Sequence, residues 1–131
     1  IVDDNEEMLN FLSSSFSAQY SILTAEDGME ALEKLKEHEV TLIVSDWMMP
    51  RMDGVEFCKA LRADQSISHI PFILLTAKTD TNSKIEGMDC GADAYIEKPF
   101  SRCSIWKHVL RICLICVICC VRNSLKCHWY R

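Results

Sequence analysis

Two spacings of apolar residues take turns along residues 1–101. After the apolar pair Ile1-Val2, the positions Met8, Leu9, Phe11, Leu12 and Phe16 recur at helical spacing, and Asp4 or Asn5 stands where it can cap that helix. Residues 20–25 read as a strand, and Asp27-Gly28 as the turn after it. Residues 29–37 have a helical pattern with Leu32 and Leu35 inward and Glu33, Lys34 and Lys36 outward. The run Val40-Thr41-Leu42-Ile43-Val44-Ser45 is apolar almost throughout, as a strand covered on both faces would be. Residues 50–54 form a loop, 55–62 a helix and 71–76 a second buried strand. A weaker helix begins over 84–88 and ends near Gly91, and Ala94-Tyr95-Ile96 is a last strand, stopped by Pro99.

Strands separated by helices of one to four turns predict an α/β domain, a five-stranded parallel sheet with helices on both faces. Sheets of this kind gather functional groups at the carboxyl ends of their strands. Applied here, that rule selects Asp3-Asp4, Asp27-Gly28, Asp46, Thr76-Ala77 and Lys98-Pro99. A first buried strand would ordinarily have about five residues. Only Ile1-Val2 precede the acid pair, so a trimmed first strand is expected.

Composition changes this picture in one place. With 131 residues, 49% hydrophobic and 25% charged, the chain is of ordinary globular make-up and of one domain's length. Its net charge of −5 disfavours direct nucleic-acid binding, which depends on basic residues at phosphates. All 19 acids lie at or before Glu97, however, while residues 101–131 hold six of the 14 Lys and Arg and six of the eight cysteines. The expected division is therefore a body over residues 1–101 and an atypical Cys-rich, apolar and basic tail over 102–131. Ile105, Trp106, Val109, Leu110 and Cys113 can begin an amphipathic last helix from about Ser101, after which the sequence turns apolar on every side. A departure of the reading frame near Arg102 is the expectation this change suggests. The spacing of Cys113, Cys116 and Cys119 superficially resembles a zinc motif, but these residues lie in a continuous apolar run without the loop residues that shape such sites. That run, residues 112–121, is too short for a membrane span, which needs roughly 20 residues. Ile1-Val2 followed at once by acids is no secretory signal, so a cytoplasmic protein is expected, with Cys58 and Cys90 as buried free thiols.

The selected residues suit one chemistry. Asp3, Asp4 and Asp46 would converge at one sheet edge and repel each other unless a hard cation such as Mg²⁺ intervened. Lys98 supplies a compact positive charge for a phosphoryl group. Thr76 supplies a hydroxyl donor, and Ala77 leaves room for close approach. These parts make a site for in-line phosphoryl transfer with an Asp nucleophile. Singly, each residue has a duller explanation. Asp3-Asp4 could cap a helix, Asp46 could be a turn residue, Lys98 a solvated charge, and Tyr95 a half-buried strand aromatic. Glu26, Asp27 and Asp53 are better read as solvated faces or turns, and Gly54 and Gly91 as serving backbone geometry.

Four linked stretches are similar to response regulator receiver domains. They are Val2-Asp3-Asp4-Asn5, Val44-Ser45-Asp46-Trp47-Met48-Met49-Pro50-Arg51-Met52-Asp53-Gly54, Leu74-Leu75-Thr76-Ala77, and Gly91-Ala92-Asp93-Ala94-Tyr95-Ile96-Glu97-Lys98-Pro99-Phe100. The resemblance implies a flavodoxin-like three-layer sandwich with strand order 2-1-3-4-5, an order for which a receiver is a standing example. It implies that Asp46 is the phosphoacceptor, and that Asp3, Asp4, Asp46 and the backbone carbonyl of Met48 hold Mg²⁺. Lys98 would pair with the phosphoryl group, and the bond before Pro99 would be cis. Thr76 and Tyr95 would be the coupled switch pair. The side chains of Met48 and Lys78 lie where family members tune phosphate lifetime.

The same resemblance implies a phosphoacceptor switch of two-component signal transduction that catalyses only its own phosphorylation and dephosphorylation. Its donor would be the phosphohistidine of a histidine kinase or of a histidine phosphotransfer domain. A homodimer through the face of the fourth and fifth helices is an assembly the family uses. The chain leaves no room for a DNA-binding output domain after residue 131, so a stand-alone receiver or a piece of a longer regulator or hybrid kinase is expected. Two other classes compete. A degenerate receiver acting only as an interaction module would usually lose an acid or the lysine. A haloacid-dehalogenase-like phosphatase would want a second Asp two residues after the nucleophile, where Met48 stands.

Overall fold

The computed structural model of the chain describes residues 1–77, 90–99, 101, 103–105, 107 and 109. Helix α1 spans Glu6–Phe16; Asn5 caps it by accepting from the N–H groups of Glu7 and Met8, and Glu6 and Glu7 complement the positive end of its dipole. Leu12 and Phe16 are buried, whereas Phe11, read in the sequence as part of the same apolar face, is 41% exposed. Helix α2 spans Gly28–Glu37, with Asp27 as its cap. Helix α3 spans Gly54–Ala63 and begins with a reciprocal capping box, in which Asp53 accepts from the Glu56 N–H and Glu56 accepts from the Asp53 N–H.

Three strands, β1 (Ile43–Asp46), β2 (Phe72–Ala77) and β3 (Ala94–Lys98), form a parallel sheet in the order β1-β2-β3. Val2 adds isolated parallel bridges to Ser45 on one side and Ala25 on the other. Residues 20–25, expected to be a strand, therefore take part in a ladder only at Ala25. Hydrogen bonds from Val2 N to Val44 O (2.8 Å), Asp46 N to Val2 O (2.8 Å) and Asp3 N to Ala25 O (3.1 Å) hold this margin.

Burial follows the apolar runs. All four residues of β1 are buried, and Phe72, Ile73, Leu74 and Leu75 of β2 are fully so. Successive strand residues face opposite ways, so a strand buried at every position is covered on both faces. Phe72 and Leu74 join Val55, Phe57, Cys58 and Leu61 of α3 in one core cluster. The Phe57 and Phe72 rings meet edge to face, with centroids 5.4 Å apart. Cys58 and Cys90 are buried free thiols, as the sequence suggested, and the Cys58 thiol donates to the Cys90 carbonyl at 3.3 Å. Burial pushes the Cys58 thiol up to about 12, which keeps it protonated.

The chain divides into two compact units, Ile1–Pro99 and Phe100–Arg131. In the second, residues 103–105, 107 and 109 are helical, Ile105 and Val109 are buried, and Ser101 and Ser104 hydrogen-bond each other at the helix start. The helix expected over 84–88, Lys78 and the cysteines from Cys113 onward lie outside the described residues. Among the described residues, no helix is long and apolar enough to cross a membrane.

Candidate functional site

Strand register brings the selected side chains level. Val2 bridges Ser45, so Asp3 sits level with Asp46 where each strand gives way to a loop. Across the sheet Asp46 pairs with Leu75, and Ala77 pairs with Lys98, which carries Thr76 and Lys98 to the same carboxyl end. One carboxylate oxygen from each of Asp3, Asp4 and Asp46 lies within 4.8 Å of the others. Asp3 is 1% exposed and Asp46 8%, while Asp4 is open to solvent. The Lys98 ammonium stands 2.8 Å from Asp46 Oδ1 and 3.7 Å from Asp3 Oδ2. The Lys98-Pro99 bond is cis, as expected.

Two buried atoms in this cluster lack hydrogen bonds. Asp3 Oδ1 accepts from the Asn5 N–H at 2.9 Å, but Asp3 Oδ2 has no hydrogen-bond partner, and neither has the hydroxyl of Thr76. Such atoms are costly unless a ligand or ion completes them. Burial holds the Asp3 carboxyl above its usual range; the Asn5 N–H and Lys98 oppose that shift, and the charges of Asp46 and Asp4 reinforce it. A divalent cation fits this donor set. It would meet three carboxylate oxygens and give Asp3 Oδ2 the partner it lacks.

The remaining sequence candidates are distributed around this centre. Met48 lies in the loop after β1 with a side chain 71% exposed. Tyr95 is half-buried on β3 and packs against the core cluster. Ala77 closes β2 opposite Lys98. Gly91 has a φ of 87°, the left-handed conformation its type permits.

Gly54 serves close approach instead. A Cβ built there would lie 2.3 Å from the Asp46 carbonyl oxygen, so the start of α3 abuts the phosphoacceptor candidate's own backbone.

Asp27 requires a correction. Its sequence context suggests a solvated or turn residue, yet it is 2% exposed, and its carboxylate bonds both the Glu30 N–H and the Arg51 guanidinium (Nε at 2.7 Å). Burial alone would raise its carboxyl, but the N–H groups of Glu30 and Met29 and the Arg51 charge hold it below the usual range. Its Asp-x-x-Glu spacing with Glu30 signalled the cap. Nothing in the sequence signalled Arg51, 24 residues away. Ser45 was also passed over; its buried hydroxyl donates to the Asp46 carbonyl at 3.0 Å.

The sequence profile of the response regulator receiver domain matches residues 1–110. The chain belongs to the receiver domain family. It is 45% identical over 101 residues to hybrid signal transduction histidine kinase D of Dictyostelium discoideum, an alignment covering 77% of this chain and 6% of that protein. It is 41% identical over 102 residues to the alkaline phosphatase synthesis transcriptional regulatory protein PhoP of Bacillus subtilis, covering 77% of this chain and 42% of the relative. Among solved structures, the signal receiver domain of a signal transduction histidine kinase from Syntrophus aciditrophicus superposes with a TM-score of 0.81 at 27% identity, covering 99% of this chain and 93% of that one. The chemotaxis response regulator CheY4 of Vibrio cholerae gives 0.78 at 36% identity, covering 85% and 93%. The chain spans less than half the length of these two curated relatives. It is thus a receiver domain of two-component signalling, a signalling domain with a flavodoxin-like parallel sheet and helices.

Proposed function

We propose that Asp46 accepts a phosphoryl group from the phosphohistidine of a histidine kinase or histidine phosphotransfer domain, with Mg²⁺ held by Asp3, Asp4, Asp46 and the Met48 carbonyl. The observation that carries this reading is Lys98, whose ammonium pairs with Asp46 at 2.8 Å beside the cluster of Asp3, Asp4 and Asp46. An Asp46 oxygen attacks phosphorus as the bond from phosphorus to the imidazole nitrogen breaks, giving an aspartyl phosphate and releasing the histidine. Bound Mg²⁺ supplies charge neutralisation for the carboxylates and the phosphoryl oxygens. Lys98 moves from the Asp46 carboxylate to the phosphoryl group it becomes, so its charge stays compensated throughout. Thr76, whose buried hydroxyl lacks a partner, donates to a phosphoryl oxygen. Tyr95, on the neighbouring strand, follows that movement as the second half of the switch. Ala77 keeps the approach to the phosphoryl group open.

The sheet order 2-1-3-4-5 belongs to the same reading and is supported by the bridges of Val2 to both Ala25 and Ser45. A receiver body over residues 1–101, a cytoplasmic setting and a homodimer through the fourth and fifth helices complete it. The test is incubation with Mg²⁺ and acetyl phosphate, followed by intact-mass spectrometry and alkaline treatment. A base-labile adduct absent from Asp46→Asn is the expected result. A folded protein that takes no label supports an interaction module instead, and steady phosphate release from varied monoesters supports a phosphatase.

A further inference from the structure

The loop between β1 and α3 carries Met48 past the site and is closed at both ends. Trp47 N donates to Leu75 O at 3.0 Å, and Gly54 N donates to Trp47 O at 2.8 Å. Its middle contains a tight three-residue turn. Met52 N donates to Pro50 O at 2.7 Å across Arg51, whose φ is 62°. A γ-turn of this hand is rare and strained, and an arginine gains nothing from it on its own backbone account. Conformations of this kind persist where the surroundings impose them, and they cluster at functional sites.

Asp27 imposes this one. Its buried carboxylate holds Arg51 through one oxygen: Oδ2 takes both Nε, at 2.7 Å, and Nη2, a charge-assisted contact that leaves Oδ1 for the cap of α2. Asp27 is itself anchored, since it caps α2 through the Glu30 N–H at 2.9 Å. The contact is backed by packing, because a Cβ at Gly28 would meet Met52 Cγ and Sδ at 2.8 Å. The loop is therefore pinned to the first turn of α2 by a charged pair on one side and a methionine on the other.

We propose that Arg51, through Asp27, is a positioning residue for the metal site, holding the loop so that the Met48 carbonyl and the Asp46 carboxylate present their oxygens together. The inference rests on the reading of Asp3, Asp4 and Asp46 as a Mg²⁺ site. Arg51 touches neither metal nor phosphoryl group. Its side chain is largely solvent-exposed and contributes through the loop alone.

Mg²⁺ alone, titrated into the full chain and followed by tryptophan fluorescence (Trp47 adjoins Asp46), tests the proposal. Arg51→Gly is the informative variant, because glycine accepts the positive φ while deleting the tether. Arg51→Gly, Arg51→Ala and Asp27→Asn are each expected to raise the Mg²⁺ Kd by ~10-fold, the range seen when groups behind metal ligands are lost. Combining Arg51→Gly with Asp27→Asn should add little further, because both cut one link. A wild-type Kd in Arg51→Gly, with only the urea midpoint altered, overturns the proposal and leaves Arg51 a purely structural residue. Additive losses in the double variant overturn it too. A wild-type protein that binds no Mg²⁺ sinks the metal-site reading itself, an outcome distinct from the other two.

Discussion

At the scale of single residues, the carboxylates of this domain divide by what burial does to them. Asp27 and Asp3 are both almost fully buried, yet their carboxyls move in opposite directions. Asp27 has backbone donors and a guanidinium, which outweigh its desolvation; Asp3 has one backbone donor, a more distant lysine and two neighbouring acids. The lowered Asp27 carboxyl stabilises the fold above its unfolded value of 3.8, and this contribution fades as pH falls through the lower folded value. Urea midpoints measured from about pH 5 down to about pH 2 should therefore fall less steeply in Asp27→Asn than in wild type. A parallel decline in the two proteins would remove Asp27 from the acid sensitivity of the fold. Asp3, Asp4, Asp46 and Lys98 were legible in the sequence because each lies within two residues of the end of an apolar run, and a parallel sheet sends all such ends to one edge. The Asp27–Arg51 pair was not legible. Its partners lie in separate loops, and periodicity does not report which loops touch.

At the scale of elements, the helices were easier to read than the outer sheet. The helix read over residues 55–62 is α3, Gly54–Ala63, because its capping box is local chemistry within four residues. Residues 20–25 looked like a strand by composition, but a ladder needs a partner, and only Ala25 of this stretch bridges one, at Val2. Phe11 was misassigned for a related reason, since helical spacing defines a face without saying how wide a strip the neighbours cover. Gly54 is where an element meets the site. Its lack of a side chain lets α3 start against the Asp46 carbonyl and Leu74 Cδ1, which a Cβ would approach to 2.3 and 2.7 Å. Gly54→Ala forces either the helix or the end of β1 to move, and overpacking of this kind costs about 1–3 kcal/mol. A lower urea midpoint with an unchanged m-value is expected. A midpoint equal to that of wild type would mean that the contact yields without cost.

At the scale of the whole molecule, the site and the fold pull against each other through Asp3. The metal-free domain buries a carboxylate whose Oδ2 makes no hydrogen bond, beside two more acids, with Lys98 3.7 Å away as partial compensation. For a group whose folded value is raised, the sign is the reverse of that for Asp27. Ionising Asp3 costs stability as pH rises through its unfolded value of 3.8 to the raised folded one, and the cost remains at neutral pH. Asp3→Asn removes this charge while keeping an oxygen to accept from the Asn5 N–H. The metal-free variant should therefore be the more stable protein, by about 1 kcal/mol, or ~3–4 °C in Tm. Mg²⁺ should reverse the ranking. A cation that binds only the folded state stabilises it by RT ln(1 + [L]/Kd), about 1.4 kcal/mol at tenfold excess over Kd. Asp3→Asn forfeits most of this gain. Thermal melts of both proteins, in a chelator and then across a Mg²⁺ series, should show two curves that cross. If Asp3→Asn melts lower without metal, the buried carboxylate is not a liability, and the orphaned Oδ2 loses its meaning as the mark of a cation site. If it melts higher and gains as much from Mg²⁺ as wild type does, the cation lies elsewhere. Only the crossing ties the strained carboxylate cluster to the metal and makes the domain's stability part of its switch.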